Sequence, residues 1–265
     1  VNSIKQLGIA MAVASVAFAF LGVPSASARH VTGLCEERAT GLCPTGKRII
    51  PPSGVWTKVL GRSTSFQLSN NGFFSTPETC TAELAIEISE EQSNYDPEKS
   101  NLKGTVPVLT EKFELEPEGS GKFDEPKAGL LLTSCSGPCT TAQATNLPWE
   151  VELTMASEAE GNEEFKLSSA KGGVHLTGCT FGTACEYGVP KGGSLNFSVS
   201  NNAEGGTITA KGVTLEYKAG SGAFLCGTTL SLTSTLAVPT CHLFKNSKSQ
   251  GLHSPCYWTL LQYPR

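Results

Sequence analysis

Cys80-Thr81-Ala82-Glu83-Leu84-Ala85-Ile86-Glu87-Ile88 decides the fold class of this chain. On an extended backbone successive side chains point to opposite faces, so Cys80, Ala82, Leu84, Ile86 and Ile88 share one side while Thr81, Glu83 and Glu87 share the other. A period of two that separates apolar from polar residues marks a half-buried antiparallel strand. The same alternation runs through Trp149, Val151, Leu153 and Met155 against Glu150, Glu152 and Thr154. It returns in Leu195, Phe197 and Val199, in Val213, Leu215 and Tyr217, and in the set Phe224, Cys226, Leu230, Leu232, Leu236 and Val238. Asn71-Gly72, Gly161-Asn162, Gly192-Gly193, Gly205-Gly206 and Gly220-Ser221-Gly222 separate these runs and supply the positive φ that hairpin turns require. No stretch beyond residue 28 sustains a 3.6-residue period with caps. The acidic run Ile88 to Glu98 reads as a loop or one short helix, ended by Asp96-Pro97. The expected fold is all-β: an antiparallel β-sandwich or barrel of many short strands.

A phrase occurs twice. Gly129-Leu130-Leu131-Leu132-Thr133-Ser134-Cys135 is matched by Gly173-Val174-His175-Leu176-Thr177-Gly178-Cys179, each followed by a second cysteine, Cys139 or Cys185. In strand geometry Leu130 and Leu132 face one way and Leu131, Thr133 and Cys135 the other; Val174 and Leu176 oppose His175, Thr177 and Cys179 in the same manner. The reading is an internal duplication of a strand-plus-cysteine unit.

Residues 1–28 read as an export signal: Lys5, an uncharged apolar run from Leu7 to Val23, then Ser25-Ala26-Ser27-Ala28 with small residues suited to cleavage after Ala28. An uncleaved membrane anchor is the competing reading of the same run. Val1 reads as a GTG start codon translated literally, hence a bacterial gene, and Cys35 stands too far from the apolar run for a lipoprotein. The ten cysteines Cys35, Cys43, Cys80, Cys135, Cys139, Cys179, Cys185, Cys226, Cys241 and Cys256 all follow the signal. An even number in an exported chain predicts disulfides, here five. Proximity pairs Cys35 with Cys43 and Cys241 with Cys256. The six central cysteines either pair locally, Cys135 with Cys139 and Cys179 with Cys185, or tie the repeats to the strands bearing Cys80 and Cys226. The organisation expected is a signal peptide over 1–28, an N-terminal disulfide loop over 29–55, a β-sandwich region over 56–238 as one large or two small units, and an irregular tail over 239–265.

Charge excludes one function class. Loss of Lys5 leaves 19 Lys and Arg against 24 Asp and Glu, a net of −5, with eleven acids between Glu87 and Glu125 and six between Glu150 and Glu164. Nucleic acid is bound by cations that neutralise phosphates, so it is not an expected partner.

Chemistry is sparse. Four histidines are present: His30 at the new terminus, His175 in a repeat strand, and His242 and His253 in the tail. With no G-x-S-x-G elbow and just two aspartates, Asp96 and Asp124, a Ser-His-acid triad has no obvious parts. His175 reads as a strand residue beside a disulfide. Cys241-His242 with His253 and Cys256 offers two sulfurs and two imidazoles for zinc, but a disulfide is the simpler use of those sulfurs, and no metal or cofactor is expected. The spacings are not C-x-x-C, and no D-x-[DN]-x-[DN]-G calcium loop occurs. Asn196-Phe197-Ser198 matches a glycosylation sequon, which a bacterial gene leaves without meaning. Trp56, Trp149 and Trp258 could form a sugar platform, although Trp149 falls on an apolar face. Among the 22 glutamates, Glu150 and Glu152 on the Trp149 strand are the best candidates for a carboxylate pair.

Thr79-Cys80-Thr81, Leu132-Thr133-Ser134-Cys135 with Cys139, Asn146-Leu147-Pro148-Trp149-Glu150-Val151-Glu152-Leu153, Cys179, Cys185-Glu186-Tyr187 and Leu225-Cys226 together resemble a group of exported, cysteine-paired, β-rich hypothetical proteins of high-GC soil actinobacteria. The resemblance covers residues 56–238, implies a secreted bacterial protein and brings no activity or site with it. The leading functional expectation is a non-enzymatic extracellular or cell-surface protein that binds an envelope polymer, a ligand or a partner. A secreted carbohydrate-active hydrolase using paired glutamates and a structural envelope or matrix component are the alternatives.

Overall fold

The computed structural model describes residues 29–38, 42–49, 56–72, 76–89, 101–108, 129–157, 164–245, 248–253 and 255–263. Residues 1–28, read from sequence as an export signal, the acidic run after Ser89 and the expected turn at Gly161-Asn162 lie outside them. Eight strands close an antiparallel barrel. In ring order these are β13 (Thr229–Lys245), β2 (Trp56–Asn70), β3 (Glu78–Ser89), β4 (Leu102–Val106), β7 (Trp149–Ser157), β8 (Glu164–Ser169), β11 (Leu195–Asn201) and β12 (Gly206–Gly220), which returns to β13. The all-β expectation holds, and the architecture is a barrel rather than a sandwich.

The barrel has two tiers. β2, β3, β12 and β13 are 15, 12, 15 and 17 residues long and run through both. In one tier β4, β7, β8 and β11 complete the ring. In the other, β5 (Leu130–Ser136) pairs the first half of β3, and the series β6 (Thr141–Thr145), β9 (Gly173–Cys179), β10 (Thr183–Gly188) pairs the last part of β12. Each cysteine phrase thus forms a short strand of this second tier. Ser134 and Gly178 occupy the same place in the two phrases, and both have positive φ, 49° and 61°.

Alternation places the core. Phe66, Leu84, Trp149, Leu167, Ile208 and Leu232, from six strands, help to fill the interior, leaving an apolar void of about 30 Å³. Such a space holds no more than about one water and, lined by hydrocarbon, stays dry. The positions between them point outward as Lys103, Glu150, Glu152 and Lys166. A lipid-spanning barrel reverses this arrangement, with its apolar residues outside.

Three expectations change. The described part of residues 239–265 is not irregular: β13 runs on to Lys245, β14 (Lys248–His253) folds back on it, and β15 (Tyr257–Tyr263) pairs with β1 (Arg29–Cys35). Tyr257, Trp258, Thr259 and Leu260 are all buried, so β15 is covered on both faces and its sequence shows no alternation. The N-terminal segment is likewise a strand before it is a loop. Its Thr32 hydroxyl donates to the Leu153 carbonyl and accepts from the Leu102 N–H, both at 2.8 Å, sewing the β1–β15 sheet onto β4 and β7. Asn201 grips the other strand, its side chain donating to the Trp258 carbonyl (2.7 Å) and accepting from the Trp258 N–H (2.9 Å). The third change concerns Phe224, which belongs to a one-turn helix, α1 (Ala223–Cys226), and is 80 % exposed instead of facing the core.

Candidate functional site

All ten cysteines are paired: Cys35–Cys43, Cys80–Cys135, Cys139–Cys179, Cys185–Cys226 and Cys241–Cys256. The two terminal pairs are those that proximity selects. The central six take the non-local alternative, with Cys135 reaching the Cys80 strand and Cys185 the Cys226 turn, while Cys139–Cys179 joins the β5–β6 connection to the end of β9. Because β2 and β3 meet at the same end as β12 and β13, and the β5–β6 and β9–β10 connections lie there too, these three bonds form a collar round one end of the barrel. Five disulfides are the mark of an oxidising, extracellular-type compartment.

Two polar side chains are buried at the collar. Glu78 is 1 % exposed; one carboxylate oxygen accepts from the Cys139 N–H at 2.8 Å and the other has no partner among the described residues. Burial raises its pKa above the ordinary 4.5, with the Cys139 hydrogen bond opposing. Glu78 lies near the Cys80 and Cys135 sulfurs. Those sulfurs are bonded to each other, which leaves no thiolate for a metal. Tyr187 is fully buried, donates its hydroxyl to the Cys226 carbonyl and meets Tyr217 edge-on at 6.2 Å. Burial pushes its phenol up to about 12, against a hydrogen bond with Asn70 and with a smaller push from Tyr217.

A ligand-sized concavity among the described residues lies elsewhere, on the outer face where the two tiers meet. A groove of about 520 Å³ is lined by Lys103 and Thr105 of β4, Glu150 and Glu152 of β7, Ser168 of β8, and, beyond it, Lys171. That volume is within the usual range for small-molecule sites. Register explains the grouping: Thr105 pairs with Glu150, Lys103 with Glu152, and Glu152 with Ser168, so outward residues stand side by side across three strands. Lys171 Nζ lies 3.5 Å from Glu150 Oε1, and Asn101 Nδ2 donates to Glu152 Oε1 at 2.8 Å. The site presents two ammonium groups, two carboxylates and hydroxyls on rigid strands, with no aromatic ring among its lining residues.

The other residues singled out from sequence do not join it. His175 stands on β9 between its register partners Gln143 and Glu186. Trp149 lines the barrel interior and its indole N–H donates to the Thr145 carbonyl at 2.8 Å; Trp258 is buried, so neither offers a sugar platform. Cys241 and Cys256 spend their sulfurs on each other, which removes the zinc reading; His242 and His253 are described in backbone only, as is His30. Sequence reasoning named Glu150 and Glu152 but missed the lysines, because β4 is a five-residue strand whose pairing with β7 spans a long stretch of chain. The fold and site define a class, a disulfide-collared closed antiparallel barrel with a polar outer groove. Compared with known proteins, the chain matches no family model, no curated protein and no solved structure.

Proposed function

We propose that this is an exported bacterial protein that binds rather than catalyses, and that its outer groove receives a hydroxyl-rich envelope polymer such as a polysaccharide. The groove itself carries the reading: ligand-sized, walled by strands, and furnished with both donors and acceptors but no charge excess. Full cysteine pairing supports a life outside the cytosol. The equivalent positive φ at Ser134 and Gly178 supports descent of β5 and β9 from one duplicated unit. Against hydrolysis, a glycosidase keeps one carboxyl protonated by desolvation, whereas the Glu150 side chain is 80 % exposed beside Lys171.

A polysaccharide array followed by calorimetry tests it. Binding with no release of reducing ends is expected, and Lys103→Ala or Glu152→Gln should each weaken it by roughly tenfold, about 1.4 kcal/mol, as for one charge-assisted hydrogen bond. Absence of any glycan binding, or sugar release that depends on Glu152, contradicts it.

A further inference from the structure

Two large apolar side chains stand out at the collared end of the barrel. Phe181 and Phe224 are 79 % and 80 % exposed. They sit on different connections, the β9–β10 turn and α1, and covalent and hydrogen bonds hold both. Cys139–Cys179 and Cys185–Cys226 anchor the two connections, and Thr180 N–H donates to the Pro138 carbonyl at 2.9 Å. The connections also meet, since the Ser221 N–H beside α1 donates to the Ala184 carbonyl just after the turn, at 2.8 Å. Asn71 fastens the β2–β3 connection to the same place, its side-chain oxygen accepting from the N–H groups of Thr228 and Thr229 at 2.8 and 3.0 Å.

The second observation is electrical. No Asp, Glu, Lys or Arg occurs in residues 64–72, 129–145, 172–185 or 219–233, the described stretches of this end, although 17 % of the chain is charged. Glu78, the acid next to it in sequence, is buried beneath the Cys135–Cys139 loop. Charges on the walls, among them Glu83, Glu186, Glu216 and Lys218, stand back from the turns on β3, β10 and β12. Sugar sites need converging polar or charged side chains, and protein interfaces carry a polar rim; neither requires a whole end to be neutral. Insertion into the headgroup and acyl boundary of a bilayer does, because each charge carried there must be desolvated.

We infer that the collared end docks on a lipid surface, with Phe181 and Phe224 entering the headgroup and acyl boundary and the long axis of the barrel standing up from it. This surface is separate from the outer groove, and neither reading depends on the other. The attraction is hydrophobic, so it is directed at uncharged lipid and does not depend on salt.

The test is co-sedimentation of the disulfide-intact protein with phosphatidylcholine vesicles. Binding is expected, unchanged between about 0.1 and 1 M salt. Phe181→Ser and Phe224→Ser should each reduce partitioning by about tenfold, roughly what partial insertion of one phenyl ring supplies. Thermal unfolding of both variants should match the parent, since neither ring is in the core. A Phe224→Trp variant should be quenched by bromine placed on the acyl chains. No vesicle binding by the parent, equal binding by the double Ser variant, or a self-association that the Ser variants abolish without vesicle binding, the last assigning this end to a second copy, overturns the inference.

Discussion

Tyr187 joins the second tier of the barrel to the turn that closes it, for its ring is fully buried and its hydroxyl donates to the Cys226 carbonyl. Tyr187→Phe leaves that carbonyl without its partner and should destabilise the protein by about 1–2 kcal/mol in chemical denaturation at neutral pH. The phenol is raised to about 12 in the fold against 10 in the unfolded chain, so its contribution is intact below pH 10 and is lost as pH rises towards 12. The deficit of the Phe variant should therefore shrink in that alkaline window; a deficit that stays constant contradicts the burial. Glu78 works in the acid range with the same sign. Its folded pKa lies above the ordinary 4.5, so the folded state holds the proton more tightly, and stability falls as pH rises through the raised value. Measured as a difference in Tm, Glu78→Gln should gain on the parent as pH rises above the ordinary 4.5, and an unchanging difference would show that the carboxyl is not desolvated. Neither role was legible in the sequence, where Glu78 is one acid among many and Tyr187 one residue after Cys185-Glu186; only the closing of the ring buries them.

At the scale of elements, the strands were legible wherever one face is dry and the other wet. β3 and β7 show this best, because Leu84 and Val151 point into the barrel while Glu83 and Glu152 point out. β15 was not legible, since Trp258 and its neighbours are buried on both faces, and α1 was mistaken for strand because Phe224 and Cys226 happen to keep step with Leu230. The positive-φ residues before Cys135 and Cys179 offer a direct check of the proposed duplication. A Cβ on Gly178, whose φ is 61°, would collide with Thr140 Oγ1, so Gly178→Ala combines a strained backbone with a clash. It should lose about 2 kcal/mol, whereas Ser134→Gly, which relieves the same backbone region at φ 49°, should be neutral or slightly stabilising. Equal effects at the two sites would contradict the equivalence of β5 and β9. The disulfides should also rank by the loop they close. Replacing Cys139 and Cys179, separated by 40 residues, should reduce stability by about 4 kcal/mol, against about 2.6 kcal/mol for Cys35 and Cys43, separated by 8.

For the whole molecule, the arrangement is one of ends and sides. The β1–β15 sheet, fixed by Thr32 and Asn201, packs on the tier built from β4, β7, β8 and β11, and the three central disulfides collar the opposite end. Charge follows the same division, with the groove lysines and glutamates on the side and the collared end neutral. The count of cysteines and the all-β class were readable before any coordinates, but the connectivity was not: pairing depends on which short strands complete which tier, a long-range property that local spacing does not encode. That connectivity defines the collar, holds the connections bearing the two phenylalanines and makes one body of the second tier. Peptide mapping of the unreduced protein by mass spectrometry is the most direct test. The account predicts five linked pairs, among them Cys80–Cys135, Cys139–Cys179 and Cys185–Cys226. Recovery of Cys135 linked to Cys139, of Cys179 linked to Cys185, or of central cysteines open to alkylation without reductant would contradict it.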